Sequence, residues 1–364
     1  MQLWQNEYKG NESDVLPANI KGRLEQSCTK EAFALLQQCP KATSTPLIMA
    51  SPTLTSMLDI QQIAFKDERS RMGLGSFKAL GAAYALAKRA ACAIKENERL
   101  DYHNALQGKI YVCASAGNHG LSLAAGAHIF GAKAIIYLAK TVPENFAQLL
   151  RSKGAEVVRH GDDYEASMQA AVKAAQDNGW ELISDSSWDG YFEPALDVME
   201  GYLVMGEEVA TALPSSPTHI FLQAGVGGLA AAAALSARRH FGQDPIIVIV
   251  EPAYAPALIE SSKARKCLDT QGEDSIMGRL DCKTPSLLAL DYLMKEADAF
   301  MTITEEEVTH AISYLENEDM TTSPSGGAGF AGLMLAAQDD ETRALLQLNQ
   351  ESRVLIYISE KAID

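Results

Sequence analysis

The sequence predicts an α/β protein with mainly parallel sheets that are covered by helices on both faces. Of its 364 residues, 47% are hydrophobic, which suffices for one large core or two moderate ones. Short apolar runs alternate along the chain with longer amphipathic stretches. This alternation is typical of right-handed βαβ units, whose sheets are buried on both sides. We expect two sheets that face a cleft, although one sheet of nine strands would also fit the pattern.

Each predicted element follows from the spacing of its apolar residues. Continuous apolar runs predict strands, at 60–65, 109–114, 134–138, 156–159, 181–184, 219–223, 246–250, 299–303 and 354–358. Apolar residues three and four positions apart predict helices, at 77–95, 120–130, 144–153, 164–178, 196–213, 228–239, 305–316 and 328–337. Residues 1–44 stay unassigned.

The charge balance argues against two classes of partner. The chain carries 47 acidic and 31 basic residues, which gives a formal net charge of −16. Such a surface disfavours nucleic acid and anionic membranes as partners. No apolar stretch approaches the roughly 18 residues of a membrane span, and residues 1–7 show no basic region followed by an apolar one. We therefore expect a cytoplasmic protein.

The cysteine and histidine patterns predict no metal site. The six cysteines include no Cys-x-x-Cys pair, and the seven histidines include no His-Glu-x-x-His. We interpret the cysteines as buried thiols. Cys267 and Cys282 bracket a polar stretch, but sequence spacing does not establish the geometry of a disulfide.

A lysine at a predicted helix start is the first candidate for chemistry. The segment 66–81, KDERSRMGLGSFKALG, ends a strand pattern and places Lys78 in the first turn of the next helix. The helix macrodipole favours anions at that end, so the ammonium is disfavoured and the amine is more available. An available amine is what a Schiff base with an aldehyde needs. Taken alone, Lys78 would be an ordinary solvated lysine, and two further segments change that interpretation.

Two glycine-bearing turns give the lysine its context. Residues 114–120, ASAGNHG, and residues 223–229, QAGVGGL, each follow an apolar run and precede an alanine-rich helical stretch. In that arrangement backbone N–H groups and a helix N-terminus can bind an anion. Ligands of parallel sheets bind beyond the carboxyl ends of the strands, where all three segments fall. One ligand with two anionic groups and an aldehyde explains the three segments together.

Two nucleotide-binding patterns fit less well. The P-loop pattern Gly-x-x-x-x-Gly-Lys-Ser/Thr is matched neither at residues 73–78 nor at residues 108–110. A dinucleotide-binding turn needs a third glycine, where this chain has Ala230 after Gly225 and Gly227. Glu251, at a predicted strand end, is the nearest acid that could hold a ribose, and it leaves a dehydrogenase as a remote alternative.

In this order the three segments resemble the fold type II family of pyridoxal-phosphate enzymes, which is tryptophan synthase β-like. The resemblance covers roughly residues 45–360. It implies a large cofactor-binding domain at 1–105 and 196–364 and a small inserted α/β domain at 106–195. It also implies pyridoxal 5′-phosphate as the cofactor, in the cleft between the domains, and a homodimer.

The resemblance implies a role for each matching residue. Lys78 would hold the cofactor covalently and then remove the α-proton of a small amino-acid substrate. Asn118 would bind the phenolic oxygen of the cofactor, and Ser359 would contact its pyridine nitrogen. The cofactor phosphate would be bound by Gly225, Val226, Gly227, Gly228 and Leu229, and the substrate carboxylate by Ser115, Ala116, Gly117 and His119. A neutral hydroxyl at Ser359 would leave the ring unprotonated, which suits β-elimination.

Several of these residues also have a plain structural explanation. Asn118 is a common turn-forming residue, His119 fits a structural role better than a catalytic one, and Ser359 could be a frayed serine near the end of the sequence. The glycines of 225–228 would serve any tight turn that needs a positive φ.

Within this family, the run at 66–81 is most similar to that of the diaminopropionate ammonia-lyases. Residues 185–191, DSSWDGY, and residues 322–329, TSPSGGAG, are also similar to that group. This implies β-elimination of L-2,3-diaminopropionate to pyruvate and ammonia. Asp185 would bind or protonate the leaving amine, or else it would only cap the next turn together with Ser186 and Ser187.

One position departs from the ammonia-lyase pattern. Those enzymes carry an aspartate directly before Gly-Asn-His, where this chain has Ala116. By resemblance, that aspartate is the base for the D-enantiomer and the lysine is the base for the L-enantiomer. Ala116 cannot remove a proton, so we expect weak or no activity on D-amino acids unless Asp185 reaches the same face of the substrate.

Other functions stay open at this point. The same residues would serve a dehydratase of serine, threonine or 3-hydroxyaspartate, since the Ser-Ala-Gly-Asn-His turn has the form found in threonine dehydratases. A non-catalytic homologue that binds a metabolite is a more remote alternative.

Overall fold

The structure is a computed structural model that describes residues 1–39 and 41–362. Within these residues the chain forms two separate β-sheets and thirteen α-helices, which confirms the predicted α/β class. The strands are β1 (Gln2–Gln5), β2 (Leu47–Met49), β3 (Gln62–Asp67), β4 (Ile110–Ala114), β5 (Lys133–Leu138), β6 (Glu156–Arg159), β7 (Glu181–Leu182), β8 (His219–Gln223), β9 (Ile246–Pro252), β10 (Ala299–Ile303) and β11 (Arg353–Ile358).

The helices lie between these strands and account for most of the remaining chain. They are α1 (Thr29–Leu36), α2 (Pro52–Met57), α3 (Lys78–Glu96), α4 (Asn118–Ile129), α5 (Glu144–Ser152), α6 (Tyr164–Asn178), α7 (Glu193–Ala212), α8 (Gly228–Phe241), α9 (Ala257–Ala264), α10 (Leu287–Glu296), α11 (Glu305–Glu316), α12 (Pro324–Gln338) and α13 (Asp340–Leu345).

The larger sheet has seven strands in the order β1-β10-β9-β8-β11-β3-β2. Its five inner strands are parallel, and β1 and β2 pair antiparallel at the two edges. The inner strand β11 pairs with β3, from Arg353 opposite Gln62 to Ile358 opposite Asp67. Since parallel strands end at the same edge, the segments that follow β3, β8 and β11 emerge on one side of this sheet.

The smaller sheet has four parallel strands in the order β6-β5-β4-β7. Helices α4, α5 and α6 connect these strands in sequence, as parallel pairing requires. β7 is an edge strand that pairs only briefly with β4, through Glu181 and Leu182.

The chain divides into two compact units. One contains Met1–Ser27, Ser44–Ser70 and the residues from Met205 onward, and the other contains Cys28–Thr43 and Arg71–Val204. Each has a buried apolar cluster of its own, around Phe65 and Ile356 in the first and around Val112 and Ile135 in the second. The small domain predicted at 106–195 stays a prediction, and the four-stranded sheet lies within those residues.

All the predicted strands and helices are present, five of them with the predicted ends and the others with shifted ends. The largest shift is in α12, which begins at Pro324 rather than at 328 because Ser323 caps it: its Oγ accepts from the Gly326 N–H at 2.9 Å. The elements that the sequence analysis missed are β1, β2, α1, α2, α9, α10 and α13.

The cysteines correct one expectation. All six are free thiols, and only Cys113 is buried; Cys28 and Cys92 are exposed, and the others are half-buried. The interpretation of all six as buried thiols was therefore wrong. Among residues 1–39 and 41–362, every helix falls short of the length or the apolar character that a membrane crossing requires.

Candidate functional site

Lys78 is the first residue of α3, as the sequence predicts for a helix start. The chain reaches it through Gly73 and Gly75, whose φ angles of 70° and 82° belong to the left-handed region that glycine adopts without strain. The Lys78 N–H then donates to Ser76 Oγ at 3.3 Å. The side chain of Lys78 is 21% exposed, so its amine is largely enclosed and still accessible to a small molecule.

The ammonium group of Lys78 contacts the carboxylate of Asp185, which follows β7 in the same unit. Burial alone would raise the pKa of Asp185, but the charges of Lys78 and His119 outweigh burial and hold that pKa well below its usual range. Asp185 is therefore ionised while Lys78 is charged. The next helix begins only at Glu193, so this carboxylate does not cap α7, and the alternative that it caps the turn with Ser186 and Ser187 stays a prediction.

Two aromatic rings flank the Lys78 ammonium. Its Nζ lies 5.3 Å from the ring centroid of Phe77 and 6.0 Å from that of Tyr202, within the range of a cation–π attraction. The two rings meet edge to face at 4.9 Å. Tyr202 can occupy this position because residue 81 is a glycine: a Cβ at Gly81 would lie 2.6 Å from the Tyr202 ring. The sequence analysis gave no role to Phe77, although it directly precedes Lys78, and it missed Tyr202, because only the folded chain brings Tyr202 to the lysine.

The first glycine turn lies between β4 and α4, in the same unit as Lys78. Ser115 Oγ holds it by accepting from the N–H groups of Gly117 at 3.2 Å and Gly120 at 3.1 Å. Ala116 is exposed at the turn. Asn118 is the first residue of α4, so the amides of this turn and of the helix start are placed together, as the sequence predicts for an anion site.

His119 connects this turn to the segment that carries Asp185. Its Nε2–H donates to the carbonyl oxygen of Ile183 at 2.8 Å. Its Nδ1 is buried and has no hydrogen-bond partner among the described residues. The contact supports a structural function for His119, which leaves its predicted substrate contact as a proposal.

The second glycine turn lies between β8 and α8, in the other unit. Gly227 has φ +98°, a conformation that other residues rarely adopt, and a Cβ there would lie 2.9 Å from Ala289 Cβ. A Cβ at Gly225 would lie 3.0 Å from Cys282 Sγ. The Val226 carbonyl accepts from the Ser286 N–H at 3.0 Å. The turn is thus a close-packed backbone loop in front of α8, whose first N–H groups have no acceptor within the helix.

Ser359 follows β11 in the unit that holds the second turn. It is 4% exposed, and its N–H donates to the Gly326 carbonyl at 3.2 Å. Its neighbour Glu360 is also buried and forms an ion pair with Arg279, with 3.0 Å between Nη1 and Oε1. Ser359 is therefore a fixed, buried residue, and the description of it as a frayed terminal serine was wrong.

The residues predicted for the site thus fall into two groups. Lys78, Asp185 and the turn at 115–119 lie in one unit, and the turn at 225–229 and Ser359 lie in the other. No three His, Cys, Asp or Glu side chains among the described residues are grouped so that they could hold a metal ion.

Comparison with known proteins gives a consistent result. The family described as "Pyridoxal-phosphate dependent enzyme" matches residues 40–360. The diaminopropionate ammonia-lyase of Escherichia coli strain K12 is 27% identical over 94% of this chain and 90% of its own length. That of Salmonella typhimurium strain LT2 is 30% identical over 75% of this chain and 71% of its own length. A crystal structure of the E. coli enzyme, in complex with an aminoacrylate-PLP azomethine reaction intermediate, superposes with a TM-score of 0.83 at 26% identity, over 99% of this chain and 93% of that one.

Proposed function

Because the chain belongs to the family of pyridoxal-phosphate dependent enzymes, we propose that it is an ammonia-lyase that converts L-2,3-diaminopropionate to pyruvate and ammonia. One observation carries this proposal: the contact between Lys78 and Asp185, which joins the two sequence segments most similar to the diaminopropionate ammonia-lyases. The Escherichia coli and Salmonella typhimurium relatives described above carry this activity in their names.

The residues present fit pyridoxal phosphate. The amine of Lys78 is accessible to an aldehyde, and the turn at 225–229 offers backbone N–H groups and the start of α8 to a phosphate. The glycines of this turn are needed for its backbone path, since a Cβ at Gly225 or Gly227 would collide with its neighbours. Ser359 supplies a buried neutral hydroxyl for a ring nitrogen. When bound, the cofactor supplies the electron sink for the bond cleavage at the α-carbon.

Lys78 would hold the cofactor through its Nζ, and its free amine would take the α-proton of the L-amino acid. The amine is suited to this because it sits at the positive end of α3, which disfavours the ammonium. Asp185 works against that effect by attracting the charged form. The helix start therefore favours the neutral amine of Lys78, and Asp185 favours its ammonium. A group that must both lose and regain a proton requires both influences.

Asp185 serves the leaving amine. The cation beside it keeps Asp185 ionised, so the carboxylate can bind the β-nitrogen of diaminopropionate in its ammonium form. Once Lys78 has taken the α-proton it is an ammonium, and Asp185 stays a carboxylate that holds the proton on the β-nitrogen. The β-nitrogen can then leave as neutral ammonia, because it already carries the proton that it needs.

The turn at 115–119 would bind the substrate carboxylate through its backbone amides, and Asn118 would hold the phenolic oxygen of the cofactor. Ala116 makes the enzyme selective, since this position offers no base to the opposite face of the substrate. We therefore expect turnover of L-diaminopropionate and at most weak turnover of the D-enantiomer. Equal rates for the two enantiomers would contradict this part of the proposal.

A second candidate is a dehydratase of serine, threonine or 3-hydroxyaspartate. It is favoured by the Ser-Ala-Gly-Asn-His form of the turn, which lacks the acidic residue of the ammonia-lyases. The substrate test below separates the two activities, because the leaving group is ammonia in the ammonia-lyase reaction and water in the dehydratase reaction.

The absorption spectrum and product formation test the proposal together. The purified protein should show a near-visible band with pyridoxal phosphate and release pyruvate from L-2,3-diaminopropionate. Lys78→Ala should abolish both. The matched control is Lys88→Ala in the same helix, which removes a lysine paired with Asp197 and Glu200 and should keep both.

A band without pyruvate from diaminopropionate, but with keto acid from serine or threonine, would replace the ammonia-lyase by the dehydratase. A band with no product from any of these substrates would support a non-catalytic homologue. No band at all would contradict Lys78 as the attachment site.

We also propose that the enzyme acts in the cytoplasm and as a homodimer. The first is the expectation drawn from the charge and apolar pattern of the sequence, and the second follows from the family resemblance. Cell fractionation tests the first, and analytical ultracentrifugation of the loaded enzyme tests the second; a monomer at working concentration would contradict the homodimer.

A further inference from the structure

Tyr191 closes the loop that carries Asp185. Its hydroxyl accepts from the Ser184 N–H at 2.8 Å and donates to the Leu182 carbonyl, also at 2.8 Å. Both groups belong to the backbone at the end of β7, directly before Asp185. One side chain thus satisfies a donor and an acceptor that lie two residues apart.

The position of β7 explains why this matters. β7 is an edge strand, and along a strand the N–H and carbonyl of successive residues point to opposite sides. Ile183 points inward: its N–H donates to the Val112 carbonyl at 2.9 Å, and its carbonyl accepts from His119 Nε2. Leu182 and Ser184 point outward, where no further strand pairs with β7. The Tyr191 hydroxyl occupies that outer edge.

The loop itself is stiff enough to hold the hydroxyl there. Trp188 and Tyr191 exchange backbone hydrogen bonds of 3.2 and 2.8 Å, and their rings stack 4.2 Å apart at an angle of 10°. Gly190, with φ +78°, makes the turn between them. Burial raises the pKa of the Tyr191 hydroxyl, so it keeps the proton that it donates to Leu182.

We propose that Tyr191 is a positioning residue of Asp185: together with His119 it clamps both edges of the end of β7, and so fixes where the Asp185 carboxylate meets Lys78. The inference deepens the proposed function and rests on it, because the position of Asp185 matters only if this carboxylate serves the leaving group. The Tyr191 hydroxyl contacts the backbone of Leu182 and Ser184, and its effect on the reaction is transmitted through the backbone of residues 182–184.

The test compares Tyr191→Phe with Tyr84→Phe. The first variant keeps the stacked ring and removes the hydroxyl that clamps β7. The control removes another buried tyrosine hydroxyl of the same unit, which donates to Glu200 at 3.0 Å. Steady-state kinetics with L-2,3-diaminopropionate should show kcat lowered about 10- to 100-fold in Tyr191→Phe, the effect of a small misplacement of a catalytic group. KM should change less than about twofold, and Tyr84→Phe should match the wild type.

Two further measurements do not depend on turnover. The first follows the pKa of the Asp185 carboxyl by carbon-13 NMR, with Asp185→Asn to assign the signal. The groups that face this carboxyl are Lys78 from α3, His119 from α4, Cys113 from β4 and Tyr202 from α7. In Tyr191→Phe a looser contact with Lys78 should move the pKa upward by about one unit. The second is hydrogen exchange of the Ser184 amide, which should become faster in Tyr191→Phe alone.

The outcomes separate the inference from the proposed function. A wild-type protein that turns over diaminopropionate, with kcat, carboxyl pKa and exchange unchanged in Tyr191→Phe, would overturn the inference and leave the function standing. A wild-type protein without turnover would overturn the function, and the carboxyl pKa would still decide whether Tyr191 positions Asp185. Lowered kcat with an unchanged pKa would show a general loss of structure instead, and would also count against the inference.

Discussion

The two groups of candidate residues are built in opposite ways. Around Lys78 the site consists of charged and aromatic side chains, with an ammonium, a carboxylate and two rings in contact. The turn at 225–229 carries no charged side chain, and its function depends on backbone N–H groups and on the absence of Cβ atoms at Gly225 and Gly227. Side chains that change their charge suit proton transfer, and a fixed backbone suits a phosphate whose charge does not change.

The strongest way to separate the two groups is to remove the charge of Asp185. Asp185→Asn keeps the size of the side chain, and we expect kcat to fall by about 100-fold or more, the usual contribution of an acid or base. Cofactor affinity should stay within about threefold, since the turn at 225–229 is untouched. Steady-state kinetics and a cofactor titration measure the two effects.

The control for that variant is Asp189→Asn, an exposed aspartate of the same segment. It should retain wild-type kcat. If it lost as much activity as Asp185→Asn, the segment would act through its fold or net charge rather than through one carboxylate.

A methyl group added at Gly227 should weaken cofactor binding and leave the pH dependence of kcat unchanged, which is the opposite of the pattern expected for Asp185→Asn. Gly227→Ala places a Cβ 2.9 Å from Ala289 and forces a residue with a side chain to φ +98°. A strain of about 1–3 kcal/mol corresponds to a loss of about 10- to 100-fold in affinity for pyridoxal phosphate. At saturating cofactor, the pH dependence of kcat should stay as in the wild type.

Gly242→Ala is the matched control, because Gly242 also has a positive φ, of 68°, and a Cβ there meets nothing within 4 Å. Gly242→Ala therefore has the same kind of backbone strain as Gly227→Ala, but its new Cβ does not collide with a neighbouring atom. Equal losses of cofactor affinity in the two variants would mean that strain, rather than the packing of the turn, explains the result.

The smallest expected effect concerns the support of that turn. Leu258 lies 3.2 Å from where a Cβ of Gly227 would be, and its N–H donates to Glu251 Oε1 at 2.7 Å. Burial raises the pKa of Glu251 to about 8, although its hydrogen bonds from Leu258 and Ile259 lower it. At a pH between the ordinary pKa of a glutamate and about 8, Glu251 therefore stays protonated in the folded protein, whereas it has lost that proton in the unfolded chain. The free energy of unfolding should fall across that range, by at most about 1.4 kcal/mol per pH unit.

Denaturant unfolding at several pH values measures this slope. Glu251→Gln should remove the contribution of Glu251 to the slope, whereas Glu273→Gln, at an exposed residue, should keep it. An unchanged slope in Glu251→Gln would show that other groups set the pH dependence of stability.

The same contrast explains what the sequence could predict. Lys78 and the two glycine turns are local patterns, in which a strand, a turn and a helix follow each other, and the structure places each of them as predicted. Residues 1–44 gave no signal, because β1 is a short edge strand without a clear alternation and α1 has no side-chain cap.

Other misses had a signal that went unused. Ser51 with Pro52 and Ser323 with Pro324 are both a capping serine followed by a proline at the first helical position, and they mark the starts of α2 and α12. In contrast, no local pattern reveals that Tyr202 flanks Lys78 or that Tyr191 holds the end of β7. Those contacts arise from chain segments that meet only after folding.

The place of β11 between β8 and β3 in the larger sheet has a consequence for synthesis of the chain. About 290 residues separate Gln62 of β3 from its partner Arg353. At a translation rate of about 5–20 residues per second, β3 waits roughly 15–60 s for the strand that pairs with it. The four-stranded sheet needs only residues up to Leu182 and can form while the ribosome is still working. During that interval the apolar strands β3 and β8 of the nascent chain lack their common neighbour, which makes them natural targets for a chaperone.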